Sequence, residues 1–134
     1  MNGLLIDTHA LLWLVTGDAA LGAVGREMAD RSLAENTLFA SAISFWEIAL
    51  LARLGRIEIG SVRAVRTGLL QSGLKEMPLT SEVGIAAADL AEFHRDPADR
   101  FIVATALGCD FSLVTADERI LRWPGTLVRH NARL

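Results

Sequence analysis

Short apolar runs alternate with longer stretches of helical periodicity along this chain. Residues 3–6 read as a short buried strand, ending in Leu4-Leu5-Ile6. Residues 8–15 follow as a helix that Leu11, Leu12, Trp13, Leu14 and Val15 make apolar on most sides, and Thr16-Gly17-Asp18 breaks it. A second helix is expected from about 19 to 33, and a second strand at 37–40. The stripe Ile43, Leu50, Leu51 and Leu54 predicts an inward helix face over 43–54, ended by Gly55. Further helices are expected at 62–71, with Arg63 and Arg66 on the polar side, at 81–90 capped by Ser81, at 99–107, and briefly at 117–121. Strands are expected at 76–79, 112–115 and 126–128.

Apolar strands alternating with helices imply a mostly parallel sheet covered on both faces, an α/β/α sandwich of three layers. The chain has 134 residues, no internal repeat and no linker long enough to divide it, so 1–134 is expected to be one domain. In such sheets ligands bind beyond the carboxyl ends of the strands.

Four acids break the apolar pattern, Asp7 and Asp117 at those ends by sequence order, and Glu47 and Asp99 on helices that can enter the same crevice. Asp7 closes the first strand, Glu47 interrupts the stripe of the third helix, Asp99 lies one turn before Ile102-Val103, and Asp117 follows Leu113-Val114. A buried charge is costly unless it is paired, hydrogen-bonded or bound to a metal. Together the four suggest one shared cation site. Each also has a local explanation. Asp7 and Asp117 are good helix caps, with Thr115 a rival cap for Asp117. Ser44-Phe45-Trp46-Glu47 matches a capping box, although the stripe places the helix start near Ser41 and leaves Glu47 without a local role. Asp96 and Pro97 look like the cap and first position of a helix, which places Asp99 in its first turn. His9 sits beside Asp7, and its bland role is structural. His94 is expected at the surface or in a loop and His130 in solvent.

Composition narrows the chemistry. At 51% hydrophobic and 22% charged residues the chain is globular, and its formal net charge of -3 does not advertise nucleic-acid binding, though acids at a metal site account for part of it. Cys109 is the only cysteine, which excludes an internal disulfide or a cysteine zinc cluster and fits a reducing cytosol. No apolar run approaches a membrane span, and Asp7 interrupts a signal-peptide layout, so a soluble cytoplasmic protein is expected. No nucleophilic-serine motif or Walker loop is present, so serine catalysis and ATP are not implied.

Four segments carry a resemblance: Leu5-Ile6-Asp7-Thr8-His9 with Leu12-Trp13, Ser44-Phe45-Trp46-Glu47-Ile48, Asp96-Pro97-Ala98-Asp99-Arg100, and Leu113-Val114-Thr115-Ala116-Asp117. In this order the chain resembles a PIN domain, specifically a VapC-type ribonuclease toxin of a toxin–antitoxin pair. The resemblance implies a three-layer fold with Asp7, Glu47, Asp99 and Asp117 around Mg²⁺ or Mn²⁺, and RNA hydrolysis leaving a 5′-phosphate and a 3′-hydroxyl. Asp7 and Asp99 are expected to contact metal directly, Asp117 directly or through water, and Glu47 to bind metal or orient the attacking water. Thr115, His9, Asp96 and Arg100 are candidates for supporting positions around the acids. The resemblance also implies a cognate VapB-like antitoxin, through which alone DNA would be engaged, and a homodimer is expected. Arg53, Arg56, Arg63, Arg66 and Arg100 are candidates for a basic RNA path, each with a solvated helix face as its bland reading. Two other classes compete: a non-catalytic PIN-like interaction module, which should have lost acids, and a metal-dependent phosphatase or phosphoacceptor domain. The phosphoacceptor reading wants a lysine at the site, whereas the only one, Lys75, is expected in a loop.

Overall fold

The computed structural model describes residues 3–134. In chain order the elements are β1 (Leu4–Ile6), α1 (Thr8–Thr16), α2 (Ala23–Ala34), β2 (Leu38–Ser41), α3 (Ala42–Arg53), α4 (Val62–Gln71), β3 (Lys75–Met77), α5 (Ser81–Asp89), α6 (Pro97–Cys109), β4 (Ser112–Thr115), α7 (Glu118–Leu121) and β5 (Arg129–Asn131). The five strands form one sheet in the order β3-β2-β1-β4-β5, and every pairing is parallel. The chain leaves β1 toward β2 on one side and later returns to place β4 on the other. The carboxyl ends of β1 and β4 therefore flank the point where the strand order reverses, the crevice in which open sheets of this kind bind ligands.

Alternation along the strands builds two cores. Leu4 and Ile6 of β1, with Leu38, Ala40 and Val114, pack under α1, α2 and α3. Leu5 and Leu113 face the other way and pack with Ile102, Val103 and Ala106 of α6, and with Phe93, Ile120 and Trp123. All three residues of β1 are buried, as a strand covered on both faces requires. The expected three-layer α/β architecture with a parallel sheet is the one observed.

The inner strands lie within one residue of their expected places, and the edge strands do not. The last strand was expected at 126–128 but is Arg129–Asn131. Its residues are polar and half-buried, so no apolar pattern marks them. Arg129 instead shapes the preceding turn, donating to the carbonyls of Ile120, Trp123, Gly125 and Leu127. Strand β3 begins at Lys75, one residue early, so that lysine is not in a loop. Helix α2 begins at Ala23 rather than near 19, because its first turn is tied to the C-terminal segment: Gly22 N–H donates to Ala132 O and Val24 N–H to Leu134 O, both at 2.9 Å. Thr80 caps α5, where Ser81 was expected, its hydroxyl accepting from Val83 N–H. Gly17 ends α1 in the left-handed region (φ 69°), the break expected there. Among the described residues no helix is long and apolar enough to cross a membrane.

Candidate metal-binding active site

The inner strands deliver polar groups from their carboxyl ends. Asp7 extends β1 by one residue, donating its backbone N–H to Val114 O of β4 at 3.1 Å. Its carboxylate then caps α1, accepting from Ala10 N–H at 3.0 Å. Thr115 closes β4 and is fully buried. Its hydroxyl donates to Asp7 Oδ2 and accepts from Asp117 N–H at 3.0 Å, so one threonine fixes two acids from opposite ends of the chain. Asp117 caps α7, accepting from Arg119 N–H at 2.8 Å. The capping explanations for Asp7 and Asp117 thus hold, and they coexist with placement in one cleft.

Helix α3 starts at Ala42 with Ser41 as its cap, so the capping box from Ser44 to Glu47 does not form. Ser44 is buried instead, 2.9 Å from Thr8 Oγ1. Thr8 also contacts the Glu47 carboxylate. A threonine has one hydroxyl proton, and the carboxylate is the stronger acceptor, so Thr8 donates to Glu47 and Ser44 donates to Thr8. The fully inward face of α3 is Ser44, Phe45 and Ile48; of the expected stripe, Ile43 and Leu51 pack half-buried against the cores, whereas Leu50 and Leu54 are 38% and 58% exposed. Glu47 rides the edge of that face.

Helix α6 begins as expected, with Asp96 as cap and Pro97 at its first position, and Asp99 in the first turn donates its N–H to Asp96 Oδ1 at 3.3 Å. Asp99 Oδ2 lies 2.7 Å from Nε2 of His94 and 3.6 Å from Arg119. Arg119 also reaches Asp117 Oδ2 at 3.1 Å, bridging the two acids.

A cleft of about 280 Å³ joins these groups, lined by Asp7, Glu47, Asp99 and Asp117 with Arg119 and Arg133. Asp96 and the exposed His9 line it too. The closest grouping among the described residues is His94, Asp99 and Asp117, whose ligand atoms lie within 4.8 Å of one another. Asp7 and Glu47 stand in the same cleft outside that grouping.

Electrostatics show what the cleft lacks. Burial pushes the Asp7 carboxyl above its ordinary range, against hydrogen bonds from Thr115 and Ala10 that favour its charge. Burial raises Glu47 likewise, against the bond from Thr8, and Asp96 adds to the rise. Burial lifts Asp99 to about 6, with His94 opposing and Asp96 and Asp117 adding. Burial also works upward on Asp117, but hydrogen bonds from the Arg119 guanidinium and N–H outweigh it and leave this acid lowered. Three carboxyls short of compensating charge in one cleft suit a hard divalent cation, which prefers carboxylate oxygen.

Other expected residues lie elsewhere. Arg100 touches no site acid. It donates to the carbonyls of Ala87, Leu90, Phe93 and His94, and so fastens the loop before α6. Arg66 is committed to Glu76 at 2.8 and 3.1 Å. Arg53, Arg56 and Arg63 are exposed and do not line the acidic cleft. Three residues at the site went unrecognised in the sequence. Arg133 comes from the C-terminal segment, with its guanidinium 5.0 Å from the Trp13 ring centroid. Arg119, two residues after Asp117 and facing the same way, carried a readable signal. His94 lies in the loop before α6, one of its two expected places, but is half-buried, and its partner Asp99 follows at a spacing that no regular element imposes.

The PIN domain family matches residues 4–125. Ribonuclease VapC22 of Mycobacterium tuberculosis (strain ATCC 25618 / H37Rv) is 30% identical over 121 residues, covering 90% of this chain and 91% of that protein. Among solved structures, VapBC2 from Rickettsia felis bound to a promoter DNA fragment aligns with TM-score 0.69 at 16% identity, over 96% of this chain and 97% of that one. A toxin–antitoxin complex from Klebsiella pneumoniae aligns with TM-score 0.63 at 19% identity, over 94% and 97%. At those identities the structural likeness speaks for the fold.

Proposed function

The chain belongs to the PIN domain family, and on that premise we propose that residues 1–134 act as one metal-dependent endoribonuclease domain, a VapC-type toxin restrained by a cognate VapB-like antitoxin. The observation that carries the reading is the convergence of Asp7, Glu47, Asp99 and Asp117, from four separate elements, on one cleft. The relative's name, a ribonuclease, supports RNA as substrate. The solved relatives with antitoxins support the partner.

Asp7, Asp99 and Asp117 would hold Mg²⁺ or Mn²⁺, with Glu47 completing the site directly or through water. When bound, such an ion supplies Lewis acidity to a scissile phosphate and makes attack by water easier at neutral pH. The remaining work belongs to the chain. Thr115 holds the Asp7 carboxylate and the Asp117 backbone in fixed relation. Glu47, raised by burial and oriented by Thr8, would take the proton of an attacking water. Arg119 and Arg133 supply counter-charge for RNA phosphates, in place of the arginines expected from the sequence.

An exposed apolar stripe, Trp46 and Leu50 of α3 with Leu54 at its C-cap, offers a landing surface for a protein partner such as the antitoxin. Ile85 on α5 and Leu107 on α6 are exposed on the second helical layer and suit a homodimer contact, which sedimentation of the purified protein tests.

The deciding experiment assays single-stranded RNA and a small phosphate ester side by side, with Mg²⁺, Mn²⁺ or EDTA, for wild type and Asp99→Asn. Metal-dependent cleavage of RNA alone, lost in the variant, is expected. Cleavage of neither, with metal binding intact, favours the interaction module, and cleavage of the ester alone favours the phosphatase.

A further inference from the structure

We propose that His94 is a positioning residue of the metal site, setting the orientation of the Asp99 carboxylate through its imidazole; the inference rests on the metal-site reading above. The Nε2 atom lies 2.7 Å from Asp99 Oδ2, and both side chains are largely shielded, 15% and 14% exposed. An ionised carboxylate only accepts, so the ring carries its proton on Nε2. A protonated Nε2 cannot ligate a metal, so the nitrogen that faces the site acts through Asp99. Its hydrogen bond occupies Oδ2. Among the described residues Oδ1 of Asp99 accepts no hydrogen bond, and it is not a buried, unsatisfied atom, which leaves it as the oxygen free for an ion.

The imidazole is held from several directions. Its ring stacks on Phe93, with centroids 4.3 Å apart and 26° between planes. Phe93 meets Trp123 edge-on at 5.5 Å, and Trp123 Nε1 donates to Ala91 O at 2.9 Å. The backbone carbonyl of His94 accepts from Arg100 Nε at 2.9 Å. Two consecutive residues of α6 therefore grip one histidine: Asp99 takes its ring and Arg100 its backbone. A chance surface histidine needs none of this support. Groups that hydrogen-bond a ligating carboxylate or histidine tune metal affinity, and their loss typically costs 10–100-fold.

The test measures Mn²⁺ binding by calorimetry in the absence of RNA, for wild type, His94→Phe and His94→Gln. His94→Phe keeps an aromatic ring to stack on Phe93 but has no donor, whereas His94→Gln places an amide donor near the same point. Mn²⁺ affinity is expected to fall on the order of 10–100-fold in His94→Phe and to recover largely in His94→Gln, with both metal-free variants melting close to wild type. Wild-type affinity in His94→Phe overturns the role of His94 alone. Equal losses in both variants also overturn it, because restoring a hydrogen-bond donor at this point would then restore no affinity. A nitrogen coupling in the electron spin-echo spectrum of the Mn²⁺ protein that disappears in His94→Phe makes the imidazole a ligand and overturns positioning. A wild-type protein that takes up no Mn²⁺ overturns the metal site itself, and this inference with it.

Discussion

Replacing Asp7 by Asn is expected to leave the metal-free protein folded while removing most of its response to divalent cations. Asp7 is only 6% exposed. Asn caps helices about as well as Asp, so the bond from Ala10 N–H survives. The carboxamide must rearrange with Thr115, at a cost of about 1 kcal/mol. Relief of a buried charge held above its ordinary pKa offsets that cost. At roughly 2.1 cal/mol/K per residue, 134 residues make 1 kcal/mol worth about 4 °C in Tm, so the metal-free variant should melt within about 4 °C of wild type. Mn²⁺ at 100 times its Kd stabilises the wild type by about 2.7 kcal/mol, or about 10 °C. Losing a direct carboxylate ligand should weaken binding by at least the ~100-fold seen for supporting groups. The same Mn²⁺ concentration then gives RT ln 2 or less, about 0.4 kcal/mol and under 2 °C. Thermal melts in EDTA and across a Mn²⁺ titration read both numbers. A variant whose Mn²⁺ shift matches wild type refutes Asp7 as a ligand. One that melts far below wild type in EDTA shows that Asp7 serves chiefly as the partner of Thr115.

Three further outcomes are expected. In EDTA the protein should become more stable as pH falls from 7 through about 6 toward 4, because Asp99, raised to about 6, binds its proton more tightly folded than unfolded. That contribution is lost as pH rises through the same range; saturating Mg²⁺ should reverse the trend, and melts at pH 5 and 7 with and without metal check the sign. Thr115→Val keeps the shape but leaves the Asp7 carboxylate and the Asp117 N–H without their shared hydroxyl; urea unfolding should show a loss of about 2–3 kcal/mol, and an unchanged midpoint would refute the linkage. Arg119→Gln removes a cation from Asp99 and Asp117; because Arg119 is 59% exposed, Mn²⁺ binding should tighten only about a few-fold at low salt and not at high salt, whereas weaker binding would show that Arg119 does not compete with the ion.

Burial on both faces makes a strand visible in sequence, and lack of it hides one. The strands β1, β2 and β4 are packed between two helical layers and show as the apolar runs Leu4-Leu5-Ile6, Leu38-Phe39-Ala40 and Leu113-Val114. The edge strand Arg129–Asn131 is recruited by backbone pairing to β4, which no side-chain pattern announces. The same division runs through the site. Asp7, Glu47, Asp99 and Asp117 were legible because a carboxylate amid apolar residues violates a local rule. Glu47 was legible partly for a wrong reason, since Leu50 and Leu54 of its supposed stripe face solvent.

Sequence by itself therefore determined the fold class, the inner strands and which acids lie at their carboxyl ends, because burial leaves a periodic trace residue by residue. Only the tertiary structure decided that Thr115 joins Asp7 to Asp117, that His94 and Arg119 stand on Asp99, and that Arg100 fastens a loop rather than guarding the acids. Those are contacts made by polar side chains whose residue types are common at any surface. Their meaning depends on distance in space, which the chain acquires only when its strands cross over and bring the carboxyl ends of β1 and β4 together.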